Sequence, residues 1–173
     1  MKSLVLVGFM GAGKSTVGRI AARRRGLLFI DADAVIEARA GMRISEIFAR
    51  QGEPAFRALE RAVISDLARE SDAVIATGGG AFVDPGLREL LNRETVTAYL
   101  KAPFEVLWNR IAHGTERPLV AQGGRERLEA LFAARTASYE QARIAVDASL
   151  SPEEVAEELL RKYDECLNEQ RGE

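Results

Sequence analysis

The sequence predicts a single α/β domain in which helices cover a parallel β-sheet. Short apolar runs alternate along the chain with segments of helical period, an order typical of right-handed βαβ units. The runs lack the polar alternation of half-exposed strands, so we expect helices on both faces of the sheet. A chain of 173 residues is long enough to bury one such core without disulfides. The predicted strands are residues 4–7, 27–30, 73–76, 96–100 and 144–146.

Helices are predicted where apolar residues recur every three or four positions, which places those residues on one buried face. The two clearest stripes consist of Phe104, Leu107, Trp108 and Ile111 and of Phe56, Leu59, Val63 and Leu67. A final helix is expected after Ser151, whose hydroxyl can cap it while Glu154 completes a capping box. Residues 165–173 are polar, and we expect this tail to fray.

Composition argues against several classes of function. The net charge of −2 gives no general reason to expect nucleic acid or an anionic membrane as partner. No apolar stretch reaches the length of a membrane-spanning helix. Cys166 is the single cysteine, so no internal disulfide can form, which fits a reducing compartment. We therefore expect a cytoplasmic protein, and a monomer because every apolar stripe has a place in the core.

Two stretches have neither helical nor strand period. Residues 77–85 contain three successive glycines, and residues 113–124 contain Gly114, Pro118, Gly123 and Gly124. Irregular, glycine-rich segments of this length in a compact domain are often lids or binding loops, although a plain surface connection is the alternative for each. The second stretch is the predicted lid, at about residues 112–124.

The most specific motif follows the first predicted strand and precedes a helical pattern. It matches G-x-x-x-x-G-K-[ST], and its residues are Gly8-Phe9-Met10-Gly11-Ala12-Gly13-Lys14-Ser15-Thr16. Its glycines let successive main-chain N–H groups turn toward phosphate oxygens, and the next helix adds the positive end of its dipole. Lys14 can reach the β- and γ-phosphates, and Ser15 can ligate Mg²⁺. Because the chain has no guanine-reading Asn-Lys-x-Asp element, the sequence predicts ATP with Mg²⁺.

Two carboxylates directly follow the second predicted strand. The carboxyl ends of parallel strands line the ligand crevice of an open α/β sheet, so Asp31 and Asp33 are expected beside the phosphate loop. One can lie near the metal while the other accepts a hydrogen bond from an attacking hydroxyl. Alternatively, one of them caps a helix that begins near Ala34.

Three arginines and a glutamate are candidates for binding an anionic substrate. Arg57 and Glu60 are three residues apart on a predicted helix, where a surface ion pair is the simpler interpretation. Arg135 lies seven residues after Leu128, where an apolar stripe should continue, so it either reaches outward or points into a cleft. Two inward arginines can hold a carboxylate bidentately. Arg117, in the predicted lid, either stabilises charge on a transferring phosphoryl group or is an exposed loop residue.

Taken in order, these motifs resemble those of shikimate kinases, within the nucleoside-monophosphate-kinase-like group of P-loop proteins. The resemblance runs from the first strand to about residue 147, and its motifs stand at the family's spacing. They are residues 8–16, Phe29-Ile30-Asp31-Ala32-Asp33, Ile47-Phe48 through Gly52-Glu53 to Phe56-Arg57 and Glu60, Thr77-Gly78-Gly79-Gly80-Ala81, Arg117-Pro118-Leu119, and Arg135-Thr136 with Tyr139. The resemblance implies a P-loop NTPase-type three-layer fold with a five-stranded parallel sheet, an acceptor-binding region at about residues 31–62 and a lid loop.

The resemblance also implies an activity and roles for matching residues. The activity is the ATP- and Mg²⁺-dependent phosphorylation of the 3-hydroxyl of shikimate. The implied catalytic residues are Lys14, Asp33 and Arg117. The implied ATP-binding residues are Gly11, Ala12, Gly13, Lys14, Ser15, Thr16, Arg110 and Arg117, with Arg110 against the adenine. The implied metal residues are Ser15 and Asp31. The implied acceptor-binding residues are Asp33, Arg57, Glu60, Gly79, Gly80 and Arg135.

Three other functions share part of this pattern. A kinase for gluconate or another sugar acid would have the same phosphate loop and lid, but has less use for Arg57, Glu60 and Arg135 together. A nucleoside-monophosphate kinase would need a longer acceptor region. A nucleotide-binding switch would bind ATP without turning over any acceptor.

Overall fold

The computed structural model describes residues 1–112 and 118–169, except the side chains of residues 118–123. Within these ranges the chain alternates strands with helices. The strands are β1 (Leu4–Val7), β2 (Leu28–Asp31), β3 (Ala73–Ala76), β4 (Val96–Lys101) and β5 (Ile144–Asp147). The helices are α1 (Lys14–Arg25), α2 (Ala32–Ala40), α3 (Ile44–Leu67), α4 (Pro85–Glu94), α5 (Phe104–Ala112), α6 (Pro118–Tyr139) and α7 (Pro152–Glu169), with a 3₁₀ turn at Ala81–Val83.

The five strands form one parallel sheet, which confirms the predicted fold class. Their order is β2-β3-β1-β4-β5, so β1 is central and pairs with β3 on one side and β4 on the other. Val5 of β1 stands opposite Ile75 of β3 and Thr97 of β4. Because all strands point the same way, the loops after β1, β2 and β3 meet at one edge of the sheet.

Helices flank the sheet as expected, and they bury the inner strands more completely than the edge strands. All residues of β1 and β3 are buried. In contrast, Leu28 of the edge strand β2 is 64% exposed. An edge strand has a neighbour on one side only, so the flanking helices shield it less completely. Trp108, predicted in the core, is partly buried against it, whereas Leu107 and Ile111 of the same stripe are fully buried.

Three strands differ from the prediction by one residue at an end, and a helix end or strand pairing explains each shift. Gly26 takes a left-handed conformation, with φ of 64°, and ends α1. The N–H of Leu27 then donates to the carbonyl of Ala22 at 2.9 Å, so Leu27 completes the helix end, and β2 begins one residue later than predicted. At the other edge of the sheet, β4 and β5 each extend one residue further, because Lys101 pairs with Asp147.

The structure differs in part from the expected lid and tail. Residues 113–117 lie outside the described residues, but α6 already begins at Pro118, where irregular backbone was expected. Proline suits the first turn of a helix because its missing N–H needs no partner there. Gly124, with φ of 63° and ψ of 177°, interrupts the helix. In the tail, residues 165–169 remain helical, since Cys166 and Leu167 pack against the core.

The start of α7 confirms the predicted capping box. The Ser151 hydroxyl lies 3.4 Å from the N–H of Glu154, and the Glu154 carboxylate accepts from the N–H of Ser151 at 3.0 Å. These contacts satisfy donors at the helix start.

No helix of residues 1–112 or 118–169 combines the length and apolar character needed to cross a bilayer.

Candidate active site

The loop between β1 and α1 forms an anion-binding turn. Gly11 and Gly13 have φ of 80° and 86°, a region that residues with a side chain rarely adopt, and Gly13 is the N-cap of α1. The helix therefore starts directly on the loop and directs its positive end into it. Lys14 Nζ donates to the carbonyl oxygens of Gly8 and Phe9 at 2.8 and 3.0 Å, which holds its ammonium group over the loop.

Asp31 joins the phosphate loop to the acceptor region. Its Oδ2 accepts a hydrogen bond from the Ser15 hydroxyl at 3.1 Å, and its Oδ1 accepts from the N–H groups of Asp33 and Ala34 at 3.1 and 3.4 Å. The sequence left a metal role and a capping role as alternatives, and Asp31 caps a helix that begins at Ala32 rather than near Ala34. One carboxylate thus caps α2 and still places an oxygen beside Ser15.

Asp33 places a second carboxylate in the same cleft. Burial, followed by the charge of Asp31, raises the pKa of Asp33 above its usual value, while Lys14 opposes the shift. The loop after β3 passes close to this group, since a Cβ added to Gly78 would lie 3.0 Å from Asp33 Oδ1 and 3.3 Å from Glu60 Oε1. Asp33 is therefore a partly desolvated carboxylate that is more basic than a free aspartate.

Arg57 and Glu60 form a half-buried ion pair rather than a surface one. Glu60 is only 4% exposed, and Arg57 Nη1 donates to its Oε2 at 2.7 Å. Glu53 binds the same guanidinium at 3.3 Å. Burial opposes the charge of Arg57, but these two carboxylates outweigh it and raise its pKa. The guanidinium lies against the loop after β3, where a Cβ on Gly80 would be 2.4 Å from Nη1.

Arg135 reaches the same loop from α6. A Cβ on Gly79 would lie 3.4 Å from Arg135 Nη1, so the arginine points toward the loop rather than away from the domain. One helical turn later, the hydroxyl of Tyr139 donates to the carbonyl of Gly79 at 2.5 Å. No role was predicted for Tyr139, although its spacing of four from Arg135 puts both on one helix face.

A cleft of about 470 Å³ collects most of the predicted residues. Its lining includes Met10, Gly11, Gly13, Lys14, Ser15, Thr16, Asp31, Asp33, Ala76, Thr77, Gly78 and Gly79. Arg57 and Arg135 contact the loop of residues 78–80, which forms one wall.

Some of the predicted residues lie apart from the cleft or outside the described residues. Arg110 donates to the carbonyl of Gly11 at 3.3 Å and lines a separate cavity of about 250 Å³. Ala12, Gly13 and Thr16 also line that cavity, so the phosphate loop separates it from the main cleft. Arg117 lies outside the described residues.

The oxygen ligands in the cleft suit a magnesium ion that is shared with phosphates. In the described part of the chain, no group of three or more His, Cys, Asp and Glu residues could hold a metal alone. However, the Ser15 hydroxyl and the Asp31 carboxylate are adjacent beside the phosphate loop. Mg²⁺ is commonly bound by one or two protein oxygens together with substrate phosphates and water. This pair fits that arrangement.

Comparisons with known proteins point to one family. A family model described as shikimate kinase matches residues 10–164. A shikimate kinase of Caulobacter vibrioides is 48% identical over 160 residues, which cover 92% of this chain and 80% of that protein. One of Cereibacter sphaeroides is 44% identical over 167 residues, 96% of this chain and 82% of that protein. The solved structure of shikimate kinase from Acinetobacter baumannii in complex with shikimate has a TM-score of 0.86 at 34% identity and covers 93% of this chain and 92% of that one. The chain belongs to the shikimate kinase family.

Proposed function

We propose that this chain transfers the γ-phosphoryl group of ATP to the 3-hydroxyl of shikimate, giving shikimate 3-phosphate and ADP. Family membership supports the reaction. The surroundings of the loop of residues 78–80 support shikimate as the acceptor. The Asp33 carboxylate lies beside this loop, and the guanidinium groups of Arg57 and Arg135 lie against it. A ring that carries hydroxyl groups and one carboxylate matches this combination of charges.

On the donor side, the chain supplies fixed positive charge. The main-chain N–H groups of residues 11–16 and the N-terminus of α1 bind phosphate oxygens. Lys14 stabilises the negative charge that develops on the γ-phosphoryl group. Ser15 and Asp31 would hold Mg²⁺, which when bound neutralises charge on the β- and γ-phosphates. Arg110 and its cavity would receive the adenine. Arg117 in the predicted lid would add a further positive charge.

On the acceptor side, Asp33 positions the attacking hydroxyl and takes its proton. The hydroxyl oxygen forms a bond to the γ-phosphorus while the bond from that phosphorus to the β–γ bridging oxygen breaks, and the electron pair leaves with ADP. The raised pKa of Asp33 makes it a better proton acceptor than an exposed aspartate. Phosphoryl transfer needs mainly positioning and charge stabilisation, and rigid contacts such as Arg57–Glu60 provide the first of these.

The proposal extends to the state and location of the protein. We expect a monomer, because only four large apolar residues are exposed in the described chain: Met1, Leu28, Phe48 and Leu150. Light scattering after size exclusion measures this directly. A cytoplasmic location is consistent with the single cysteine, Cys166.

A coupled ADP-release assay tests the reaction. Purified protein with Mg·ATP receives shikimate, gluconate or AMP in separate reactions. We expect stimulation by shikimate alone. Stimulation by gluconate or AMP instead would identify that compound as the acceptor. ATP binding without any stimulated turnover would favour the nucleotide-binding switch.

A further inference from the structure

The loop between β3 and the 3₁₀ turn is held at one carbonyl by a buried tyrosine. Tyr139 is fully buried near the end of α6, and its hydroxyl donates to the Gly79 carbonyl at 2.5 Å. The two residues are 60 positions apart in the chain. Further along the loop, Arg88 donates to the carbonyls of Phe82 and Val83, both at 3.1 Å. The glycine segment is therefore tied to α6 at one point, and the turn that follows it is tied to α4.

The bond from Tyr139 fixes the direction of a neighbouring N–H. Gly79 C=O and Gly80 N–H belong to the same peptide unit, which is planar, and no cis peptide bond occurs in the described chain. In a trans unit these two groups point in opposite directions. Holding the carbonyl toward Tyr139 consequently aims the N–H of Gly80 away from α6. No described residue accepts a hydrogen bond from the N–H of Gly79 or Gly80.

The same hydroxyl lies beside the arginine one turn earlier, because a Cβ added to Gly79 would be 3.6 Å from the Tyr139 hydroxyl and 3.4 Å from Arg135 Nη1. Burial raises the pKa of Tyr139, while the nearby charge of Arg135 opposes the rise. The hydroxyl therefore remains protonated at neutral pH and keeps its donor role toward Gly79. The Tyr139 hydroxyl thus lies between a proposed carboxylate-binding arginine and the peptide that holds a proposed main-chain donor.

We propose that Tyr139 is a positioning residue for the acceptor: through its hydroxyl it holds the Gly79–Gly80 peptide and Arg135 in fixed positions relative to each other. This inference rests on the proposed function, because it assigns those two groups to the acceptor. It predicts that loss of the hydroxyl weakens acceptor binding and leaves ATP binding unchanged.

Tyr163 offers a matched control for the test. It is also fully buried, and its hydroxyl also donates to a main-chain carbonyl, that of Lys2, at 2.5 Å. Lys2 and Tyr163 do not line the cleft. Tyr139→Phe and Tyr163→Phe therefore remove the same kind of bond from the same kind of environment, and both should lower the melting temperature by similar amounts.

The experiment measures KM for shikimate and for ATP in the parent and in both variants. Tyr139→Phe should raise KM for shikimate about five- to tenfold, the factor expected for one net hydrogen bond, with KM for ATP within about twofold of the parent. Tyr163→Phe should leave both values unchanged. Equal changes in both variants, or no change in Tyr139→Phe, would overturn the proposal. Absence of shikimate-dependent turnover in the parent would instead reject the proposed function.

A second pair of variants keeps the test decisive if Tyr139→Phe folds poorly. 4-Aminophenylalanine at position 139 retains an N–H donor, and 4-methylphenylalanine fills the same space without one. Donor-dependent positioning predicts a near-parent KM for shikimate with the amino group and a raised KM with the methyl group. Equal KM values for the two would contradict it.

Discussion

Substitution of Gly80 by alanine tests whether Arg57 binds the acceptor. The φ of Gly80 is −91°, which alanine adopts without strain, so the added methyl group is the only direct perturbation. That Cβ would lie 2.4 Å from Arg57 Nη1, whereas ordinary contact begins at 3.4 Å, so the guanidinium must retreat by about 1 Å. Because the clashing atoms end a flexible side chain, we expect the fold to persist.

The displacement should cost binding of shikimate but not of ATP. A hydrogen bond between charged groups contributes about 1.5–3 kcal/mol, and losing one corresponds to roughly a 10- to 100-fold rise in KM for shikimate. KM for ATP should change less than about twofold, because no described residue of the phosphate loop contacts Arg57. Gly86→Ala is the matched control, since Gly86 lies in the first turn of α4 and a Cβ there meets only Asp84 Oδ1 at 3.3 Å. It should leave both KM values unchanged.

A double-mutant cycle separates this mechanism from a general disturbance of the loop. If Gly80→Ala acts through Arg57, it should add nothing to the effect of Arg57→Ala. Additive losses in the double variant, or equal rises in KM for shikimate and ATP, would refute the reasoning.

Four further outcomes are expected. Lys14→Ala should lower turnover by roughly two to three orders of magnitude with an intact circular dichroism spectrum, and near-normal turnover would remove Lys14 from the mechanism. Arg135→Ala should raise KM for shikimate at least about tenfold and leave that for ATP nearly unchanged. Asp33→Asn should raise the melting temperature at pH 8, because a raised pKa means that the charged carboxylate destabilises the folded state above that pKa. The difference in melting temperature between Asp33→Asn and the parent should shrink as the pH falls through the pKa of Asp33. A difference that is constant from pH 8 to pH 4 would contradict this. Ser151→Ala should lower the free energy of unfolding by about 1 kcal/mol in a urea titration.

The sequence was sufficient wherever the determining interactions are local. Apolar runs located all five strands to within one residue at each end, and the capping box at Ser151 and Glu154 uses atoms three residues apart. The phosphate loop was equally accessible, because the backbone of residues 8–16 is shaped by its own glycines. Each of these features follows from short-range stereochemistry.

Features that depend on distant contacts were missed or left open. Residues 165–169 look like a polar tail, yet Cys166 and Leu167 pack against a core assembled from the rest of the chain. Nothing local shows that Glu60 would be buried, because its burial depends on how α3 packs against α2, α4 and the 3₁₀ turn. Likewise, the partner of Tyr139 is a carbonyl 60 residues away. The spacing of four residues puts Tyr139 and Arg135 on one helix face, but it does not show which loop this face contacts.

The order of the strands has a consequence for how the two substrate sites respond to change. The phosphate loop follows β1, which pairs on both sides and is fully buried, whereas the acceptor segment follows β2, which pairs only with β3 within the described sheet and is partly exposed. Local opening costs least where contacts are fewest. Amide protons of β2 should therefore exchange sooner than those of β1. Substitutions in β2 and the acceptor-binding region that follows it can therefore change acceptor binding while the phosphate loop after β1 keeps its shape.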